Sequence, residues 1–213
     1  MRNVFRAAAL ASVALCSSAA LAVPVTLTFE GLGDNEAVGN YYNGGAGGNY
    51  GISFGVDSLA LIANSAGGSG NFSNAPSGHT VMYFLSGPGD VMNVAAGFDT
   101  GFSFYYADQV GFTGSVSVYS GLDGTGSLLA SLDLPSTPNP YTVFVPVGVS
   151  FLGTAQSVVF SGAADFIAFD NVTLGASIPG NAPEPASWAM MLGGFGVVGG
   201  VMRARRKAAV TFA

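Results

Sequence analysis

From Val23 to about Ala176, short runs of alternating apolar and polar residues are broken by Gly, Asn, Asp, Ser and Pro. This period of two predicts β-strands. In "VTLTFE" (25–30), Val25, Leu27 and Phe29 share one face, and Thr26, Thr28 and Glu30 the other. "GFSFYYA" (101–107) places Phe102, Phe104 and Tyr106 together, and "SVSVYS" (115–120) repeats the scheme with Val116 and Val118. Between that run and "SLLASLDL" (127–134), Asp123-Gly124 supplies the positive φ that a tight hairpin needs. Further strands are predicted at 52–56, 59–63, 81–85, 91–95, 142–151, 156–161 and 166–174. No stretch here sustains a 3.6-residue period, so the expected fold is all-β, an antiparallel β-sandwich or jelly roll spanning 23–178. The exception to the rhythm is 31–51, a long loop rich in Gly and Asn with Tyr41, Tyr42 and Tyr50 interleaved.

Both ends of the chain read differently. Residues 1–22 have a positive start, an apolar stretch and the small-x-small triplet Ala20-Leu21-Ala22, the pattern of a secretory signal peptide for signal peptidase. The single cysteine, Cys16, lies within it, so the chain after Ala22 has neither a disulfide nor a Cys-based metal site. After a short linker (179–182), the apolar run 186–202 reaches the lower length limit of a single membrane-spanning helix. Arg203, Arg205, Arg206 and Lys207 form a basic stop at 203–207 that places the C-terminus in the cytoplasm, and Trp188 stands where an interfacial aromatic belongs. Gly196 and Gly200, with Ala189 and Gly193 before them, give this segment a smooth face for another helix.

Charge sharpens the picture. All six basic residues sit at the ends, and none lies between Arg6 and Arg203, whereas eleven of the twelve acidic residues fall between Glu30 and Asp170. Binding to nucleic acid relies on Lys and Arg to displace counterions from phosphates, so the central region is not a nucleic-acid binder.

Candidate chemistry is sparse. His79 is the sole histidine and sits in the turn-like "PSGHT". "GISFG" (51–55) matches G-x-S-x-G around Ser53, but it lies in an alternating strand rather than on a strand-to-helix elbow, so the match is read as chance. No catalytic residue and no organic cofactor is assigned. Two carboxylates would suffice for a glycan hydrolase, yet the acids carry no spacing that singles out a pair. Glu30 ends the first strand, and Asp170 and Asn171 lie in the last; if those strands are neighbours, the three form either a structural calcium site or solvent-facing strand residues. Tyr41, Tyr42 and Tyr50 either stack on sugar rings or cap the end of the sandwich.

The ending carries a resemblance. Pro183-Glu184-Pro185, then Trp188-Ala189 in an apolar segment, then the Arg203, Arg205, Arg206 cluster, resemble the PEP-CTERM proteins of the PEPxxWA subgroup, whose tail domain is also labelled from ice-binding proteins. The ectodomain phrases "GFDTGFSFYY" and "IAFDNVTLG" are similar to those of other proteins carrying this tail. The resemblance implies that residues 183–207 are a sorting signal read by an exosortase-type membrane enzyme. It further implies transient retention in the inner membrane of a Gram-negative bacterium, then delivery to the cell surface or extracellular matrix. For the ectodomain it implies an association with exopolysaccharide and biofilm, which leaves three readings: a non-enzymatic matrix or exopolysaccharide binder, a matrix glycan hydrolase, and an inert structural surface protein.

Overall fold

The structure is a computed structural model that describes residues 23–162 and 164–180. The expected signal peptide, the Pro183-Glu184-Pro185 motif, Trp188, the 186–202 span and the basic cluster lie outside the described residues. Among the described residues no helix is long and apolar enough to cross a membrane.

Among the described residues the regular elements are all strands, apart from one short 3-10 turn at Asn64–Ala66. In order these are β1 (Val25–Leu27), β2 (Asn43–Gly45), β3 (Gly48–Asn49), β4 (Ile52–Phe54), β5 (Ser58–Ile62), β6 (Thr80–Phe84) and β7 (Gly89–Phe98). There follow β8 (Gly101–Asp108), β9 (Gly114–Tyr119), β10 (Leu128–Leu134), β11 (Val145–Ser150), β12 (Ala155–Gly162) and β13 (Ile167–Leu174). Every run expected from alternation has its strand, but the first stops at Leu27 and Phe29 turns to φ 62°, so Glu30 lies beyond the strand rather than at its end. The Gly-rich loop adds β2 and β3, a small hairpin that its sequence pattern does not announce.

Two antiparallel sheets result. One runs β11-β8-β13-β6-β5, with β1 also paired to β13; the other runs β10-β9-β12-β7-β4. The alternating apolar residues of both sheets meet in one main core, and a second, smaller cluster gathers Ala63, Phe72, Val81 and Ala168. Its centre is aromatic: Phe104 packs edge-on against Phe160 of the opposite sheet at 6.2 Å and against Phe169 at 5.6 Å, and Phe160 meets Phe169 at 5.0 Å. These T-shaped contacts direct positive ring edges at negative faces and add to the large apolar area that each ring buries. Between β9 and β10 the expected turn is present, with Asp123 at φ 55° and Gly124 at φ 68°, closed by the Thr125 N–H donating to Leu122 O at 3.1 Å.

β13 is the pivot. All eight of its residues are buried, because β8 covers one edge and β6 and β1 share the other. Phe169 pairs with Met82 of β6, whereas Val172, Thr173 and Leu174 pair with Leu27, Thr26 and Val25 of β1. Asp170 and Asn171 lie in the gap between these two partners, where the pairing with β8 also shifts register and Asn171 adopts φ 48°.

Replacing Phe104 by Ala should cost about 3–5 kcal/mol, the usual loss for deleting a fully buried aromatic ring. Urea unfolding would measure it, and a loss under about 1 kcal/mol would contradict the central place given to this ring.

Candidate functional site

The first and last strands are neighbours, Asp170 and Asn171 lie in the interval of β13 between its β1 and β6 partners, and one segment of chain bonds both Asp170 and Glu30. The link is the segment that leads into β6. Asp170 accepts hydrogen bonds from the Ser77 N–H at 2.9 Å, the Ser77 hydroxyl at 3.0 Å and the Asn171 N–H at 2.7 Å. Two residues on, the N–H groups of His79 and Thr80 donate to Glu30 Oε1 at 3.0 and 2.7 Å. Gly78, between the two anchoring points, has φ 43°, and a Cβ there would lie 2.3 Å from the Glu30 carboxyl carbon. Glycine is needed for the conformation and for the close approach alike. Burial lifts the Asp170 carboxyl to about 7; the Ser77 and Asn171 donors oppose the rise, and the Glu30 charge adds to it. Asn171 is 1% exposed, and neither atom of its side-chain amide has a hydrogen-bond partner among the described residues.

The tyrosines of the 31–51 loop fall into different roles. Tyr42 is a core residue: its hydroxyl accepts from the Phe29 N–H at 2.7 Å and its ring meets Phe29 and Tyr41 edge-on. Tyr41 donates its hydroxyl to Glu30 O at 2.8 Å. Tyr50, at 51% exposure, has the open ring. Tyr41 also packs against the core and lines a depression with Gly31, Glu36 and Asn40.

A more polar cleft of about 410 Å³ lies elsewhere, on the outer face of the β5-β6-β13 part of the sheet. Alternation points Ala60, Met82 and Phe169 into the core, and therefore Leu61, Tyr83 and Ala168 outward to form the cleft floor. The walls are Ser69–Phe72, Tyr141, Gln109 and the Asp165–Phe166 turn. Tyr83 donates its hydroxyl to Asn35 Oδ1 at 2.6 Å, and the Asn35 amide nitrogen donates in turn to Asp34 and Ser69, each at 3.1 Å. Asp34 accepts the N–H of Ile62 at 2.8 Å and of Ser69 at 3.0 Å, and these donors hold its carboxyl below the ordinary range. Opposite, the Ser73 N–H bonds Tyr141 O at 2.9 Å and Asn74 bonds Thr142 O at 3.1 Å, which docks the Tyr141 loop onto the 72–74 segment.

Such a cleft can hold a polar ligand. Tyr141 and Phe166 are half-buried, and Phe166 is stacked at 3.9 Å on Phe112, so aromatic surface is offered at the rim while Asn35, Asn71, Gln109 and Asp165 supply donors and acceptors. Asp165 is the one carboxylate in the lining. Ser53 is mid-strand in β4, and His79 is exposed with its main chain bonded to Glu30. The cleft residues come from seven separate stretches of sequence, and "STPNPYT" around Tyr141 carries no motif that would have marked it.

Desolvation, with smaller contributions from Asp165 and Asp108, raises the Tyr141 phenol to about 12. An unfolded chain would ionise this group first, near 10, so its contribution to stability is lost as pH rises from about 10 towards about 12. Tyr141→Phe should make that alkaline loss shallower, and phenolate absorbance should lose one late-titrating group; identical profiles would contradict the desolvated placement.

No curated protein matches the chain in sequence. Among solved structures, a family 6 carbohydrate-binding module is 19% identical with a TM-score of 0.39, over 57% of this chain and 85% of that one. The module CsCBM6-3 from Clostridium stercorarium in complex with cellobiose is 15% identical with a TM-score of 0.35, over 54% and 89%. The CBM22-1–GH10 modules of xylanase 10B from Clostridium thermocellum, complexed with xylohexaose, are 17% identical with a TM-score of 0.40, over 73% of this chain and 28% of that one. The model of the PEP-CTERM protein-sorting motif matches residues 181–207, the stretch that holds Pro183-Glu184-Pro185, Trp188 and the basic cluster. The chain therefore carries the PEP-CTERM protein-sorting motif at its C-terminal end.

Proposed function

We propose that this is an exported protein of a Gram-negative bacterium, freed of residues 1–22 by signal peptidase and held briefly in the inner membrane by 186–202. An exosortase-type enzyme then cuts it between Pro183 and Trp188. The β-sandwich, released to the cell surface or extracellular matrix, binds exopolysaccharide without cleaving it. The sorting half of this reading is supported by the motif at 181–207. The binding half rests on one observation, the cleft in which Tyr141 and Phe166 lie beside Asn35, Asn71, Gln109 and Asp165.

The physical fit is to a neutral polyol. A sugar ring presents an apolar face for an aromatic ring and hydroxyls that both donate and accept, and the cleft offers partners for each. Lys and Arg are absent between Arg6 and Arg203, which disfavours a phosphorylated or strongly anionic ligand. Glycoside hydrolysis usually calls for two carboxyl groups across the scissile bond. Asp165 stands in the lining without a second carboxylate, which favours binding over turnover.

Glycan arrays and product assays separate the three readings. Binding without release of reducing ends is the expected result; release of sugar products would favour the hydrolase, and neither would favour an inert surface protein. Tyr141→Ala should weaken binding by about tenfold or more, with Tyr50→Ala unaffected. For sorting, mass spectrometry of surface material should find chains ending near Pro183, and an intact Arg206 in that material would refute processing. Glu184→Ala should leave the precursor in the inner membrane.

A further inference from the structure

We propose that the gap between β1 and β6 is a calcium site, with Glu30, Asp170 and the Asn171 side-chain oxygen as protein ligands. It stands independently of the glycan-binding cleft. Along β13, Phe169 is paired to β6 and Val172 to β1, so Asp170 and Asn171 occupy the interval that neither strand fills. The segment Ser77–Thr80 fastens Asp170 at one end and Glu30 at the other, which draws two carboxylates together. Both main-chain donors to Glu30 fall on Oε1, so its second oxygen is available to a cation.

Asp170 is fully buried and is tied through Ser77–Thr80 to the exposed Glu30, and a buried carboxylate beside a second one calls for a counter-charge. Among the described residues there is no Lys or Arg to supply it. Asn171 is the independent sign. It is 1% exposed, yet its amide oxygen and nitrogen have no partner among the described residues. A buried amide left unpaired is costly, and a cation in the gap gives the oxygen its partner.

The donors choose the ion. Among the described residues no group of three or more His, Cys, Asp and Glu side chains is placed to hold a metal. Two carboxylates and an amide oxygen are a hard, all-oxygen set with a charge of −2 that matches Ca²⁺. Main-chain carbonyls and water complete the six to eight ligands that calcium accepts in irregular geometry. Mg²⁺ demands a near-ideal octahedron and gives up its own water reluctantly. Calcium here would lock β1 and β6 to β13 at the one point where the strand ladder is broken.

The test uses the full chain purified in detergent and stripped with EDTA. Restoring Ca²⁺ to well above its dissociation constant should raise the melting temperature by about 5 °C or more, and equimolar Mg²⁺ should not reproduce the rise. Tb³⁺ should show luminescence excited through tyrosine that Ca²⁺ displaces. Glu30→Gln and Asn171→Ala should each weaken Ca²⁺ binding by about tenfold or more. Glu30 is exposed, so its variant carries the test if Asn171→Ala fails to fold. A melt insensitive to both EDTA and Ca²⁺, with no displaceable Tb³⁺ signal, would overturn the assignment. Calcium binding left unchanged in Glu30→Gln would overturn it equally, by placing the ion elsewhere.

Discussion

The whole architecture depends on β13 being completely enclosed. A strand with eight buried residues can neither leave a main-chain group unpaired nor carry a stray charge cheaply. Its apolar half is easily placed: Ile167, Phe169, Val172 and Leu174 fill the common core. Its polar half, Asp170, Asn171 and Thr173, has to be solved locally. The solution is the change of neighbour from β6 to β1, which opens the ladder where the polar pair sits and lets another segment of chain reach in with donors.

The same device recurs across the domain, and the composition explains it. In a region without Lys or Arg, carboxylates have no cationic side chains to meet, and they bind main-chain N–H groups instead. Asp34 accepts from Ile62 and Ser69, Glu36 from Gly33, Asp90 from Ser58 and Val91, and Asp108 from Thr137. Each ties a loop to a strand or braces a turn. Hydrogen bonds from neutral donors to a charged acceptor are short and strong, and they hold loop geometry in place of ion pairs.

Much of this fold could be read from the sequence because alternation is a local signal. Phe102, Phe104 and Tyr106 share a face on β8, and Asp123-Gly124 makes its turn, since both follow from a few adjacent residues. The adjacency of the first and last strands is one that a jelly roll allows, and it is what relates Glu30 to Asp170 and Asn171. The cleft was not legible. Asn35, Tyr83, Gln109, Tyr141 and Asp165 become neighbours only through sheet order and loop docking. Nor was the burial of Tyr42 visible, because a tyrosine in a Gly- and Asn-rich loop reads the same whether its ring is in the core or over solvent.

The pairing of β1 with β13 also sets the timing of folding. Thr26 and Thr173 share a hydrogen bond at 3.1 Å across 147 residues of sequence. Whether the chain emerges from a ribosome or threads through an export channel, its first strand has nowhere to dock until the last has appeared. Closing so long a loop is slow and must precede the contacts that reward it. The sheet therefore becomes complete only as the residues just ahead of the sorting motif come free. Until then β1 has no partner strand, whereas the opposite sheet, β10-β9-β12-β7-β4, draws on neither end of the domain and can assemble first.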